Sequence, residues 1–314
     1  MVDEVKIFTG RAHPGLAEEI CGSLGVPVGR CEVFKFSNDN TFVKINESVR
    51  EADVFVIQPS CAPVNDGLVE LLIMIDALKR ASVRRITAVV PSFPYARSDK
   101  KDQPRIAITA RLVADLLTVA GTNRVLTMDL HTAQVQGFFS VPVDHLTAVP
   151  ILVEYFRSRS FPDLVIVAPD AGAAKLARRF AKRLKRPMAI IDKRRIGNEE
   201  QVEMSYIIGD VKHKTALIVD DEIASGRSIV NAATALSEQG AREVYAACTH
   251  AILSDDCVER LEHSKVNQLV VTNTIPVPEE KRASKVVVLS VANLFAEAIK
   301  RIHSGESVST LFED

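Results

Sequence analysis

Short apolar runs at 54–57, 86–90, 125–128, 164–168, 188–191, 216–219, 244–248, 269–272 and 286–289 punctuate the chain, mostly separated by stretches of helical period. A run of four or five apolar residues flanked by polar ones fits a strand buried on both faces. Such strands alternating with helices predict parallel α/β sheets. The clearest helix spans Asn65 to Ser82, with Asn65 or Asp66 as N-cap, Leu68, Leu71, Leu72, Ile75 and Leu78 on one face, and Met74 in the core. At 314 residues the chain divides into two domains by length alone, each able to bury a core. An echo between Val125 to His131 and Leu217 to Glu222, each an apolar strand ending in acidic groups, points to two related α/β domains. The turn-prone stretch Val141 to Pro150 separates them, giving domains 1–147 and 148–314.

A net charge of −1 leaves no basic footprint for nucleic acid, so an anionic ligand must be held by a local cluster. Cys21, Cys31, Cys61, Cys248 and Cys257 form no CxxC pair and no zinc-ligand spacing, and read as reduced core thiols. No apolar run reaches membrane-spanning length, and the start Met1-Val2-Asp3-Glu4-Val5 is acidic where a signal peptide is basic. A cytoplasmic protein without membrane partners is the expectation.

Chemistry concentrates at predicted strand ends. The run 216–219 delivers Asp220 and Asp221 into a turn containing Ser225, Gly226 and Ser228, whose amides and hydroxyls at a helix start suit a phosphate. The doublet itself serves sugar hydroxyls or Mg²⁺, or else is a turn and capping feature. Asp170, after the run 164–168, is either a ligand for a hard cation or a helix cap. His131 is either a metal or phosphate ligand or a hydrogen-bonded turn residue. Lys193, Arg194 and Arg195 emerge from the run 188–191, where open α/β folds keep their ligands. Tyr95 to Arg105 holds four cations within nine residues and, alone, reads as a solvated loop.

In order along the chain, Ala62-Pro63-Val64-Asn65, Leu71 to Lys79, Asp129-Leu130-His131, Gln136 to Phe139, Ile191 to Arg195, Val219-Asp220-Asp221, Glu243-Val244-Tyr245, Val271-Thr272-Asn273 and Pro278 to Lys281 resemble the ribose-phosphate pyrophosphokinase family nearly end to end. The resemblance implies two phosphoribosyltransferase-type (type I) α/β domains. The last helix, about 291–304, then packs back on the first domain. It implies a hexamer that transfers the diphosphoryl group of ATP to O1 of ribose 5-phosphate with Mg²⁺, releasing AMP. A non-catalytic synthetase-associated regulator is the alternative from another class. A simple base phosphoribosyltransferase gives no reason for a second domain.

By the same resemblance, Lys193 is the catalytic lysine and Arg195 acts beside it on phosphates and sugar. His131 and Asp170 serve the metal–ATP site. Asp220 and Asp221 meet the ribose hydroxyls and a second Mg²⁺, and Ala224, Ser225, Gly226, Arg227 and Ser228 cradle the 5-phosphate. Phe36, Asn38, Asp39 and Asn40 line the adenine site, and Arg97, Ser98, Asp99 and Lys100 belong to a loop that closes over ATP. Ser48, Arg50, Ser307 and Ser309 occupy places comparable to an intersubunit phosphate or ADP site. The chain departs from the family pattern at Ala224, usually acidic, at Arg227-Ser228, and at Asn38 and Asn40, usually carboxylates. Ser98 stands where Gln is common.

Overall fold

The computed structural model describes residues 4–159, 161, 163–195, 203–282 and 284–311, with the backbone alone for 193–195 and 203–205. It separates into two compact units, one of residues 1–147, 274–276 and 290–313, the other of 148–273, 277–289 and 314.

The first unit carries β1 (Val5–Thr9), α1 (Pro14–Leu24), β2 (Cys31–Lys35), β3 (Thr41–Ile45), β4 (Asp53–Ile57), α2 (Val64–Arg80), β5 (Arg85–Val90), α3 (Thr109–Ala120), β6 (Arg124–Met128) and β7 (Val143–Leu146). Its five-stranded sheet runs β1-β4-β5-β6-β7, every pair parallel, and β2 with β3 forms a separate antiparallel hairpin. Every residue of β4 is buried, as its apolar run requires. The α2 periodicity is realised, with Leu71, Met74, Ile75 and Leu78 buried. Its cap is not the expected one: Pro63 occupies the N-cap without a side-chain bond, and Asn65 and Asp66 are engaged elsewhere.

The second unit carries α4 (Val149–Ser158), β8 (Leu164–Ala168), α5 (Ala174–Leu184), β9 (Met188–Arg195), β10 (Glu203–Ile208), β11 (Thr215–Ile223), α6 (Arg227–Glu238), β12 (Glu243–Ala251), α7 (Cys257–Glu262), β13 (Val266–Thr272) and β14 (Val286–Leu289). The sheet order is β10-β9-β8-β11-β12-β13-β14, parallel except for β10 against β9. The last helix, α8 (Ala292–Ser304), returns to the first unit and packs on α1. There Ser23 donates to Asn293 Oδ1 at 2.7 Å, and Ser290 bonds Glu19. Asp53, fully buried at the head of β4, receives Arg85 Nε at 2.8 Å and His303 Nδ1 at 2.8 Å. The Arg85 fork also donates to the carbonyl of Ile302, so one carboxylate ties α8 to the sheet.

All five cysteines are free thiols, with Cys21, Cys248 and Cys257 buried. Among the described residues no helix is long and apolar enough to cross a membrane.

Candidate active site

In the second unit the strand register aligns the acidic groups. Val167 pairs with Ile218 across the parallel β8 and β11, so Asp170, just past β8, and the Asp220–Asp221 doublet lie towards the same carboxyl end. The doublet is still within β11, which runs on to Ile223, and not in the turn expected from the sequence. Asp170 is exposed; its Oδ1 accepts the Ala173 amide at 3.0 Å, a turn that leads into α5 and leaves the residue at the strand end. Burial, then the hydrogen bond and charge of Asp221, and more weakly the charge of Asp170, push the Asp220 carboxyl up to about 8. Burial and its acidic neighbours therefore hold the Asp220 carboxyl towards its protonated form. On the other side of β8, Ala168 pairs with Ile190 of β9, and β9 continues beyond that edge by pairing Lys193 with Ser205 and Arg195 with Glu203 of β10. The backbone thus carries the basic triplet on the β9–β10 pair, beyond the end of β8; the side chains of Lys193, Arg194 and Arg195 lie outside the described residues.

The turn between β11 and α6 has the geometry of a phosphate cradle. Gly226, at the N-cap of the twelve-residue α6, adopts φ +73, and a Cβ there would stand 2.7 Å from Cys257 Sγ. Only glycine meets both conditions without strain. Arg227 and Ser228 follow in the first turn, exposed, at the positive end of the helix dipole.

The first unit assembles the residues expected at adenine. Phe36 to Asn40 form the tip of the β2–β3 hairpin, closed by Phe36 N to Asn40 O at 2.9 Å, with Asp39 at φ +67. Asn38 Oδ1 accepts the Asn40 amide at 3.2 Å, which spends part of its acceptor capacity inside the turn. Phe34, Phe36 and Phe42 form an aromatic cluster in which Phe36 meets the other two edge-on, with Phe34 and Phe36 exposed. Lys35 bridges Asp39 and Asp66, both at 2.7 Å, while Tyr95 OH bonds Asn65. Consecutive residues of α2 therefore anchor both the hairpin and the segment 95–105.

That segment is stapled at its base. Ser98 Oγ donates to Thr109 Oγ1 at 3.2 Å and accepts the Thr109 amide at 3.3 Å, capping α3 from outside the helix. The Ser98 departure thus has a local structural use. Asp99 Oδ2 accepts from Thr132 at 2.7 Å, next to the exposed His131. Thr132 was not a sequence candidate; its contact crosses 33 residues and has no local signature.

Comparison with known proteins identifies the family of the chain. The family model described as the N-terminal domain of ribose phosphate pyrophosphokinase matches residues 5–121, and the phosphoribosyl synthetase-associated domain matches 199–313. A ribose-phosphate pyrophosphokinase of Clostridium acetobutylicum is 55% identical over 99% of this chain and 98% of its own length. The chain belongs to the ribose-phosphate pyrophosphokinase family. Another member, from Caldanaerobacter subterraneus, is 54% identical over 99% of the chain and 98% of its own. The crystal structure of phosphoribosylpyrophosphate synthetase from Mycobacterium smegmatis superposes with a TM-score of 0.92 at 43% identity, covering 96% of this chain and all of that one. The chain is accordingly an enzyme, a transferase of the kinase type in nucleotide biosynthesis, and not a non-catalytic associate of one.

Proposed function

We propose that the chain transfers the β,γ-diphosphoryl group of ATP to O1 of ribose 5-phosphate, giving 5-phospho-α-D-ribose 1-diphosphate and AMP, with the residues below in named roles. The observation that carries the assignment of roles is the β11–α6 turn: an acidic doublet on a buried strand running directly into a glycine-capped helix N-terminus. Ser225, Gly226, Arg227 and Ser228, with Ala224 as their small lead-in, hold the 5-phosphate, and Asp220 and Asp221 hold the ribose hydroxyls. Ala224 removes a carboxylate from this cradle, while Arg227 adds a cation to it.

Attack of the sugar hydroxyl on the β-phosphorus needs positioning and charge neutralisation more than covalent chemistry. Lys193 and Arg195 meet the charge that develops on the transferred group, and Arg97, Ser98, Asp99 and Lys100 close over the nucleotide. Phe36 stacks on the base, with Asn38, Asp39 and Asn40 at its edge. Two amides in place of two carboxylates still offer carbonyl acceptors to an adenine amino group, although Asn38 already serves the turn.

The donor chemistry fits Mg²⁺: Asp170 is an exposed carboxylate whose charge reaches Asp220, and carboxylate oxygens suit a hard cation. Among the described residues no three His, Cys, Asp or Glu side chains converge as a metal cage. By family likeness Asp170 and His131 serve the ion, with phosphate oxygens and water as its remaining ligands. When bound, the ion neutralises phosphate charge and keeps the transferred group in line.

We further propose a cytoplasmic homo-oligomer, a hexamer by family likeness, regulated by phosphate or ADP. The exposed Ser48, Arg50, Ser307 and Ser309 supply the hydroxyl and guanidinium groups such a ligand needs. The direct test of function is product formation from ribose 5-phosphate with ATP, GTP, CTP and UTP side by side. Release of AMP that depends on the sugar is expected; its absence with every nucleotide overturns the proposal.

A further inference from the structure

We propose that Arg260 is a positioning residue for the 5-phosphate cradle, an inference that rests on residues 224–228 holding that phosphate. Arg260 stands on α7, outside the turn, and reaches it through one strong bond: Nη1 donates to the carbonyl of Ser225 at 2.5 Å. The guanidinium is itself held, because Nη2 meets both oxygens of Asp256, one turn earlier, at 2.6 and 2.5 Å. A donor fixed on two sides orients the acceptor it touches.

The consequence for the cradle follows from peptide planarity. The Ser225 carbonyl and the Gly226 amide belong to one plane and point in opposite directions across a trans peptide bond. Holding the carbonyl towards α7 therefore aims the Gly226 N–H away from α7, to the side left for the ligand. Cys257 of the same helix closes the near side, since its Sγ fills the space a Cβ on Gly226 would need. The helix thus acts as a backing plate that presets the direction of a backbone donor before substrate arrives, which is where preorganisation lowers the free-energy cost of binding.

Removing the guanidinium leaves the turn otherwise supported. Ala224 O still accepts Ser254 N at 3.1 Å, Gly226 O still accepts Val230 N at 3.0 Å, and Lys281 still holds Leu253 O at 2.8 Å. The fold is then retained while the plane of residues 225 and 226 is free to rotate.

Steady-state kinetics of the full-length Arg260→Met, Arg260→Lys and Ser228→Ala variants test this, with thermal melting as control. Arg260→Met is expected to raise KM for ribose 5-phosphate about tenfold, the size of one charge-assisted bond, with KM for ATP and the melting temperature nearly unchanged. Arg260→Lys restores a donor without the two-point hold, and its KM should fall between the two. An unchanged sugar KM in Arg260→Met, while Ser228→Ala raises it, overturns the role of Arg260 and leaves the cradle standing. If neither variant moves it, the cradle assignment fails and takes this inference with it. Equal losses for both substrates with a lowered melting temperature show a merely structural arginine and also overturn it.

Discussion

Lys193 is the single side chain on which turnover should depend most. A cation aimed at charge that grows during transfer stabilises the transition state more than bound ATP. Lys193→Ala is therefore expected to lower kcat by about 10² to 10³ with little change in ATP affinity; a near-normal kcat with only KM raised shows that the lysine merely binds. Asp220 offers a second test, through stability. Its unfolded carboxyl titrates near 3.8 and its folded one near 8, so between those values the unfolded chain releases a proton that the folded chain keeps. The stability this group contributes is thus present below about pH 4 and lost as pH rises towards 8. Asparagine cannot titrate, so the melting temperature of ligand-free Asp220→Asn should gain on the parent steadily from pH 4.5 to 8. A constant difference across that range rules out the raised carboxyl.

At the scale of elements, the β11–α6 turn is the most demanding piece of backbone. Gly226→Ala meets both the left-handed φ and the Cys257 sulfur, and should lower unfolding stability by about 1–3 kcal/mol in denaturant titration. Adding Cys257→Ala should return part of that loss; no recovery means the sulfur is not the obstacle. The legibility of the sequence divides at this scale for a physical reason. Each of the nine apolar runs coincides with a strand, and in β4, β5, β6, β8, β11 and β13 the run is buried throughout, which is why it is apolar. The strands β2 and β3, whose residues are only partly buried or exposed, and the four-residue β7 lack that signature. The register of β10, an edge strand, comes from its pairing with β9. The α2 face was legible from its period, whereas its cap was misread because Asn65 and Asp66 answer to Tyr95 and Lys35, partners 30 and 31 residues away. The acidic doublet and the glycine turn announced themselves locally. Arg260 did not, since its contact with Ser225 spans 35 positions and is created only when α7 packs.

For the whole molecule, the buried Asp53 is the tie between the sheet of the first unit and the end of the chain. Asp53→Ala removes the buried carboxylate that Arg85 and His303 share. Loss of about 3–5 kcal/mol is expected, with amide exchange in α8 quickened more than in the second unit; uniform exchange throughout shows that the tie is not local. Assembly is tested by light scattering at micromolar concentration, where a mass several times the 34.4 kDa of one chain is expected and a single-chain mass defeats the oligomer. The return of α8 to α1 bears also on how the chain comes into being. Ser23 and Asn293 are 270 positions apart, so a ribosome that has delivered the whole of the first sheet still withholds the helix that covers α1. The second unit, lying between those positions, can close on its own as soon as β14 emerges. Synthesis therefore runs in the order of the sequence while completion runs in reverse: the unit begun first is the one finished last, and until then its α1 surface is open to chaperones.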